Sequence, residues 1–277
     1  MNGATKTDAA IPPLYHGDRM PIEEFRRRRD AMPGKQKIEL LDGMVYLQYD
    51  TGRILNRNIP PLENGDHLPI DEFERRWENM PDLKKVELLD GVVFMPPHVS
   101  VTQHGFPHSN VMYWLVAYQV ATPGVQTSDN GTFRAGRTES QPDAMLVTLP
   151  EFGGNISFDA SGCLLGTPRL AAEISFSSLN YDLHTKFELY ERLGIPEYLV
   201  WRTSDKAIDW FALQAGRYVR LEPDAEGIIK SQVYPGLWLD WAGLVRGDLK
   251  TVARILQRGT ETPEHLAFVE KLASAAK

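Results

Sequence analysis

Two apolar segments in the middle of the chain each place a carboxylate where a buried strand is expected. Asp143 directly precedes the run Ala144 to Val147, and Glu173 lies inside the run Leu170 to Ile174. Short apolar runs of this kind are typical of strands at the centre of a sheet. An ionised carboxylate buried without a partner costs several kcal/mol, so each acid requires a metal, a cation or a hydrogen-bond network. With Lys186 on the next predicted helix, the two acids predict a divalent-metal site.

Simpler structural roles remain open for these residues. Because Pro142 makes the local backbone extended or turn-like, Asp143 is also compatible with an Asx turn that opens the strand. Lys186 follows Asp182 by four residues, the spacing of a surface ion pair within one helix, and spacing alone favours that role. Glu173 is harder to explain structurally, because apolar residues flank it on both sides. A helix that follows a strand packs back on the sheet, which would bring Lys186 within reach of both acids.

The chemistry that two carboxylates and a lysine support is metal-assisted hydrolysis of a phosphodiester. Mg²⁺ prefers hard oxygen ligands, usually one or two carboxylates together with waters and phosphate oxygens. Such a metal lowers the pKa of a bound water and neutralises charge that develops on the phosphate. The lysine would orient or deprotonate that water, or stabilise the transition state. A cysteine–histidine zinc site is not predicted, because Cys163 is the only cysteine.

Two histidines, His104 and His108, have the spacing of metal ligands. Gly105 and Pro107 lie between them and are expected to break a shared helix, so the pair is not favoured as a zinc site. His108, at the start of the following helix, is instead predicted to lie near a phosphate or a carboxylate.

The charge balance and the cysteine content restrict the class of protein. The formal net charge is −7, which argues against a protein that coats DNA non-specifically but leaves room for a small local basic patch. A single cysteine favours a reducing compartment. The polar start, Met1 to Ala10, lacks the pattern of a signal peptide, and no apolar run approaches the roughly 20 residues of a membrane span. We therefore expect a cytoplasmic protein with no membrane association.

The N-terminal third of the chain is a tandem duplication with an offset of 48 residues. The segments 11–46 and 59–94 are identical at roughly three in five positions, which is far beyond chance. Each copy is predicted to form a short helix followed by a hairpin, and Asp90-Gly91 is a type I′ turn signal in the second copy. Two copies do not make a solenoid. We expect a duplicated helix–hairpin segment in front of a larger domain.

The apolar periodicity of the remaining chain predicts the order helix, strand, strand, strand, helix, strand, followed by short strands and two C-terminal helices. The predicted helices include 108–120, 182–193 and 244–256, and a polar strand or hairpin is predicted over 126–134. This order predicts an α/β fold of the α+β kind, with a mixed central β-sheet flanked by helices. The predicted divisions are 1–58 for the first copy, 59–243 for the main domain and 244–277 for a C-terminal helical extension.

The motifs in this order resemble the Uma-type family of restriction endonucleases within the PD-(D/E)XK nuclease superfamily. The resemblance covers roughly residues 66–240 and rests on these segments: Glu87 to Gly91, Met95-Pro96-Pro97, Gln141-Pro142-Asp143, Glu173-Ile174-Ser175, Lys186, Tyr190, Gly194 to Tyr198 and Tyr234 to Leu237. It implies a restriction-endonuclease-like core, DNA as substrate and Mg²⁺ or Mn²⁺ as cofactor. It further implies that Asp143 and Glu173 bind the metal and that Lys186 is the catalytic lysine.

Supporting roles are predicted for Glu87, His108, Gln141, Ser175 and Tyr190. Glu87 is similar to a family acid that would complete the metal site, and it lies in the repeat copy that runs on into the main domain. Ser175 marks a departure, because the superfamily's usual lysine stands at that position. The resemblance implies that the lysine has moved to the following helix, as Lys186.

Two other functions fit the sequence. A catalytically silent, nuclease-like binding module is suggested by the acidic balance and by Ser175. A metal-dependent hydrolase of another phosphoester would use the same metal chemistry. The first repeat copy is a candidate for an added edge hairpin or for self-association into a homo-oligomer.

Overall fold

The computed structural model of the protein describes residues 11–12, 14, 18–32, 38–41, 43–47, 55–56, 58–95, 100–176 and 178–276. The chain forms two compact units, Met1–Asp50 and Thr51–Lys277. The polar start, Met1 to Ala10, and the residues Pro96 and Pro97 of the Met95-Pro96-Pro97 motif lie outside the described residues. Among the described residues, no helix combines the length and apolar character that crossing a bilayer requires.

The described part of the first unit forms a helix and a hairpin. Helix α1 spans Ile22–Ala31, and strands β1 (Ile38–Leu41) and β2 (Met44–Leu47) pair antiparallel. Phe25 from the helix and Val45 from the hairpin are buried together in a small apolar cluster.

The second unit begins with the same helix–hairpin arrangement, which confirms the duplication as a structural repeat. Helix α2 spans Ile70–Glu78, and strands β3 (Glu87–Leu89) and β4 (Val92–Phe94) form the hairpin. Asp90 and Gly91 have φ values of 49° and 83°. Positive φ at both central residues is what a type I′ turn requires.

The central sheet of the second unit has six strands in the order β14-β13-β12-β11-β8-β5. Its pairs are antiparallel except for β11 and β12, which are parallel. The predicted mixed sheet is therefore confirmed. Its strands are β5 (Val125–Asp129), β8 (Ala144–Thr148), β11 (Leu170–Ser175), β12 (Glu197–Arg202), β13 (Ala207–Gln214) and β14 (Arg217–Arg220).

A second six-stranded sheet contains the repeat hairpin, in the order β4-β3-β7-β6-β10-β9. Its other strands are β6 (Phe133–Ala135), β7 (Thr138–Ser140), β9 (Ser157–Phe158) and β10 (Leu164–Leu165), and a separate hairpin pairs β15 (Ile228–Lys230) with β16 (Trp238–Asp240). The helices of this unit after α2 are α3 (Phe106–Ala121), α4 (Phe187–Leu193), α5 (Trp241–Arg246), α6 (Leu249–Thr260) and α7 (Pro263–Ala275), and a 3₁₀ turn spans Pro150–Phe152.

Apolar clusters cover both faces of the central sheet. On one face, Ala144, Leu146 and Ala172 pack with residues of α3 and α6. On the other face, Met145 and Ala171 pack with α4 and the second sheet. Because successive strand residues point to opposite faces, Asp143 and Glu173 are assigned to the second face, which α4 covers.

Three local predictions were wrong in their boundaries. A π-helical segment, Val101–Gly105, runs directly into α3, so Gly105 and Pro107 do not break the helix. Pro107 is the second residue of α3, at the junction with the π-helical segment. The predicted strand or hairpin over 126–134 divides between two sheets, and the predicted helix over 244–256 divides into α5 and α6. Gly247, with a φ of 75°, separates those two helices.

Candidate active site

The strand register brings Asp143 and Glu173 to the same place. Ala144 of β8 pairs antiparallel with Ala172 of β11, so one further step along both strands places Asp143 opposite Glu173. The backbone N–H of Ile174 donates a hydrogen bond to Asp143 Oδ2 at 2.8 Å. Both acids are buried.

Lys186 reaches this pair from the following helix. A π-helical segment, Tyr181–Lys186, precedes α4 and directs the lysine inward. Lys186 Nζ lies 2.8 Å from Glu173 Oε1 and 3.0 Å from Glu87 Oε1, and the lysine side chain is 3% exposed. The alternative of a surface ion pair with Asp182 is therefore wrong. Asp182 is itself buried and accepts a hydrogen bond from Ser178 Oγ at 2.6 Å.

Glu87 joins the site from the repeat hairpin, as its place in the second copy predicts. Its Oε1 accepts hydrogen bonds from Ser140 Oγ and from the backbone N–H of Gln141, both at 2.7 Å. The hydroxyl of Tyr190 lies 2.7 Å from Ser140 Oγ and 3.5 Å from Glu173 Oε1. The two sheets are thus connected at the site by one hydrogen-bond network.

Two further supporting residues, Gln141 and Ser175, lie at the edge of this network. The Gln141 side chain donates to Thr132 Oγ1 at 2.8 Å, away from the acids, so only the Gln141 backbone contacts the site directly. Ser175 is buried, and its hydroxyl lies beside the carboxylate of Asp182. A serine in this place cannot supply the positive charge of the superfamily's lysine.

Lys85 and His104 were missed as site residues. Lys85 Nζ lies 3.1 Å from Asp143 Oδ1, and His104 Nε2 lies 3.0 Å from Asp143 Oδ2. His108 Nε2 lies 2.8 Å from the backbone oxygen of Asp143 and 3.2 Å from Asp129 Oδ1, so the predicted carboxylate neighbour is present. The spacing of Lys85 and Glu87, two residues apart at the start of a strand, was a signal that both side chains share a face.

Burial and neighbouring charge perturb the titration of the site. Burial, reinforced by Asp143 and other nearby acids, raises the pKa of Glu173 well above its usual value. Burial would also raise the pKa of Asp143, but hydrogen bonding to His104 and the charge of Lys85 hold it below its usual range. Burial alone would lower the pKa of Lys186, but Glu173 and Glu87 outweigh that effect and raise it. Lys186 is therefore a cation throughout the ordinary pH range.

The acids outnumber the cations in this region. Glu87, Asp143, Glu173 and Asp182 are all buried carboxylates, whereas the lysines that contact them are Lys85 and Lys186. Burial raises the pKa of Asp182 to about 6. Protonation of some acids is one way to relieve this excess of negative charge, and a bound divalent cation is another.

The donor set fits Mg²⁺ or Mn²⁺ better than zinc. No group of three or more histidine, cysteine or acidic side chains that could hold a metal occurs in the described part of the chain. Two carboxylates with water and phosphate oxygens are nevertheless a usual set for Mg²⁺, whereas structural zinc needs four protein ligands. His104 Nδ1 and Tyr181 Oη are buried without a hydrogen-bond partner among the described residues, so the region retains polar atoms available to a ligand or water. Asp143 and Glu173 are the residues that would hold the metal.

A mixed sheet with helices on its faces and a buried acid–lysine cluster at its central strands is the arrangement predicted for a restriction-endonuclease-like core. The sequence model of the Uma2 family, described as "Putative restriction endonuclease", matches residues 70–242. This match spans more than half of the chain, so the chain belongs to that family, and the predicted resemblance is confirmed.

Comparisons with solved structures and with curated proteins do not extend this conclusion. A crystal structure described as "a putative nuclease belonging to DUF820" from Anabaena variabilis ATCC 29413 is 12% identical, with a TM-score of 0.45. The alignment covers 64% of this chain and 99% of that one. No curated protein matches the chain.

Proposed function

We propose that this protein is a metal-dependent endonuclease that hydrolyses phosphodiester bonds in DNA, with Mg²⁺ or Mn²⁺ as cofactor. The observation that carries the proposal is the buried pair Asp143 and Glu173, with Lys186 bridging Glu173 and Glu87. Family membership supports a nuclease activity in general. The choice of metal and of DNA rests on the donor set and on the resemblance of the motifs.

Each side chain has a distinct role in this mechanism. Asp143 and Glu173 would hold the metal through their carboxylate oxygens. The chemistry supplied by a metal held there would be activation of a water and neutralisation of charge on the phosphate. His104 and the Ile174 N–H both contact Asp143 Oδ2, and they fix the orientation of that carboxylate.

Lys186 acts through its charge and not as a base. Glu173 and Glu87 raise its pKa against the effect of burial, so the neighbouring carboxylates favour its protonated form. It lies between two carboxylates and is almost fully buried. We therefore assign it to positioning Glu173 and limiting the repulsion among the acids. Lys85, whose side chain is 27% exposed, is the lysine better placed to meet a substrate phosphate.

A plasmid-cleavage assay tests the proposal. Supercoiled DNA is incubated with purified protein and Mg²⁺ or Mn²⁺, with EDTA as the negative control. Asp143→Asn and Glu173→Gln are expected to reduce cleavage by on the order of a hundredfold or more, because each removes a charged metal ligand. Glu188→Gln removes an exposed carboxylate of α4 and is the matched control, expected to cleave like the wild type. Wild-type protein that cleaves no DNA with either metal, or acid variants that retain full activity, would refute the proposal.

A catalytically silent binding module is the second candidate, because Asp143 already has internal partners for both oxygens. Lys85 contacts Oδ1, and His104 and the Ile174 N–H contact Oδ2. This candidate predicts no change in melting temperature on adding Mg²⁺. A stabilisation by Mg²⁺ that disappears in Glu173→Gln would exclude it. Cleavage of a model phosphoester but of no DNA would instead favour a hydrolase of another substrate.

A further inference from the structure

The first repeat helix carries two arginines that its second copy lacks. Across the 48-residue offset, Arg26 aligns with Glu74, and Arg29 aligns with Trp77. The substitutions are three residues apart, so the two arginines lie on adjacent turns of one helix face.

The other two arginines of the helix have an inherited structural role. Arg27 and Arg28 both contact Glu24, at 2.7 Å and 2.6 Å. In the second copy, Arg75 and Arg76 contact Glu72 at the same two distances. This shared pairing belongs to the repeat itself, so it does not explain the extra arginines.

The aligned positions make internal contacts in the second copy. Glu74 forms an ion pair with Arg134. Trp77 packs against Phe73 with a ring-centroid distance of 5.6 Å, and its Nε1–H donates to Leu83 O at 2.9 Å. These positions hold α2 to its own unit.

In the first copy the same positions face solvent. Arg26 is exposed, and the Arg29 side chain is 47% exposed and lies beside the exposed carboxylate of Asp30. Arg29 keeps one internal contact, with its guanidinium 5.6 Å from the centroid of the Phe25 ring. The replacement of an ion-paired acid and a hydrogen-bonded tryptophan by two exposed cations indicates a different use for this face of α1.

The segment around α1 is also more basic than the aligned segment of the second copy. Residues 19–37 contain seven basic residues (lysine or arginine) and three acidic residues. The aligned residues 67–85 contain four basic and five acidic residues. Residues 1–50 have eight basic and eight acidic residues, so residues 51–277 carry the whole net charge of −7. The basic segment is therefore concentrated in the first repeat of an otherwise acidic protein.

We propose that helix α1 of the first repeat binds the sugar-phosphate backbone of the DNA substrate through Arg26 and Arg29, an inference that rests on the nuclease function proposed above. An acidic nuclease domain repels DNA at long range, and a local basic face compensates for that repulsion. Exposed arginines suit this role, because the guanidinium group donates two parallel hydrogen bonds to a phosphate. Contacts to phosphate carry no sequence preference, so this helix would supply affinity and not specificity.

A DNA-binding assay tests the inference without cleavage. The full-length protein is titrated into a fluorescently labelled DNA duplex in EDTA, and the anisotropy is measured over a range of salt concentrations. Arg26→Gln/Arg29→Gln is expected to weaken binding about tenfold and to reduce the slope of log Kd against log salt by about two. Arg26→Lys/Arg29→Lys keeps the charge and is expected to retain most of the salt slope. Lys250→Gln/Lys271→Gln removes two charges from exposed positions of α6 and α7 and is the matched control.

The outcomes separate this inference from the proposed function. Weaker, less salt-dependent binding by the glutamine variant of α1, with an unchanged control and an unchanged melting temperature, supports the inference. Equal binding by the wild type and that variant, in preparations that cleave DNA with Mg²⁺, overturns the inference and leaves the nuclease function standing. The inference is also overturned if the glutamine variant loses binding to anionic lipid vesicles but keeps its binding to DNA. Wild-type protein that neither binds nor cleaves DNA refutes both proposals.

Discussion

Replacing Lys186 with methionine tests the electrostatic argument for the site most directly. Methionine keeps the length and apolar stem of the side chain but removes the ammonium group, which lies 2.8 Å from Glu173 and 3.0 Å from Glu87. Removing one partner of a buried ion pair leaves an uncompensated charge and costs about 3–5 kcal/mol. For a unit the size of Thr51–Lys277, this cost corresponds to a fall in melting temperature of about 6–20 °C.

The loss is expected to depend on pH in a definite direction. Because the pKa of Lys186 is raised in the folded protein, its contribution is fully present below its unfolded pKa and is lost only when pH rises through the folded value. The wild type therefore keeps this contribution between pH 5 and pH 8. In Lys186→Met, Glu173 lacks its cation, so the pKa of Glu173 rises further. At low pH, protonation of Glu173 removes the unpaired buried charge and reduces the loss of stability. The variant is expected to lose less stability at pH 5 than at pH 8.

The measurement is urea denaturation followed by circular dichroism in EDTA, at both pH values. Lys250→Met removes an exposed lysine of α6 and is the control, with an expected change within about 0.5 kcal/mol. A loss below about 1 kcal/mol at pH 8, or an equal loss at both pH values, would refute the assignment of Lys186 as the cation that stabilises this cluster.

Two further predictions concern the framework around the site. Burial raises the pKa of Glu197 to about 7 despite hydrogen bonds from a serine hydroxyl and two backbone N–H groups. Its protonation therefore favours the folded state. This contribution, about 3 kcal/mol in all, is lost as pH rises from the usual glutamate pKa of 4.5 to about 7. Glu197→Gln should flatten this pH dependence of the urea midpoint. Gly236→Ala should destabilise the protein by about 1–3 kcal/mol in the same assay, because φ is 82° and a Cβ atom would lie 2.7 Å from the backbone oxygen of Gly259.

Matched substitutions identify the cause in each case. Glu222→Gln replaces an exposed acid and should leave the pH dependence unchanged; an equal effect of both variants would contradict the role of Glu197. Gly227 has a φ of 78° and open space around its Cβ position. Gly227→Ala therefore measures the cost of backbone strain alone, and a cost equal to that of Gly236→Ala would show that close approach to Gly259 is unimportant.

The parts of the site that sequence predicted are those with a local signal. Glu173 stands out because apolar residues flank it in a strand, and antiparallel pairing of neighbouring strands then brings Asp143 opposite to it. Glu87 was placed by the repeat, because only the second copy continues into the main domain. These inferences use patterns that extend over a few residues or over one exact offset.

The parts that sequence missed depend on contacts between distant residues. Lys85 and His104 reach Asp143 from 58 and 39 residues away. The spacing of Lys85 and Glu87 indicates a shared strand face, but it does not indicate the contact with Asp143. His104 was set aside because Gly105 and Pro107 were expected to interrupt the helix, whereas a π-helical turn carries the chain through them. The partition of residues 126–134 follows from strand pairing, because β5 pairs with β8 of the central sheet whereas β6 pairs with β7 and β10 of the second sheet.

The ion pair between Glu74 and Arg134 has a consequence for how the chain folds. Two segments that are so similar compete during folding for one position beside β7, and the first copy leaves the ribosome earlier. A misplaced first copy would bring Arg26, instead of Glu74, against Arg134, so that attraction would be replaced by repulsion between two arginines. The charge reversal that gives α1 an exposed basic face thus also disfavours occupation of the second copy's place by the first copy.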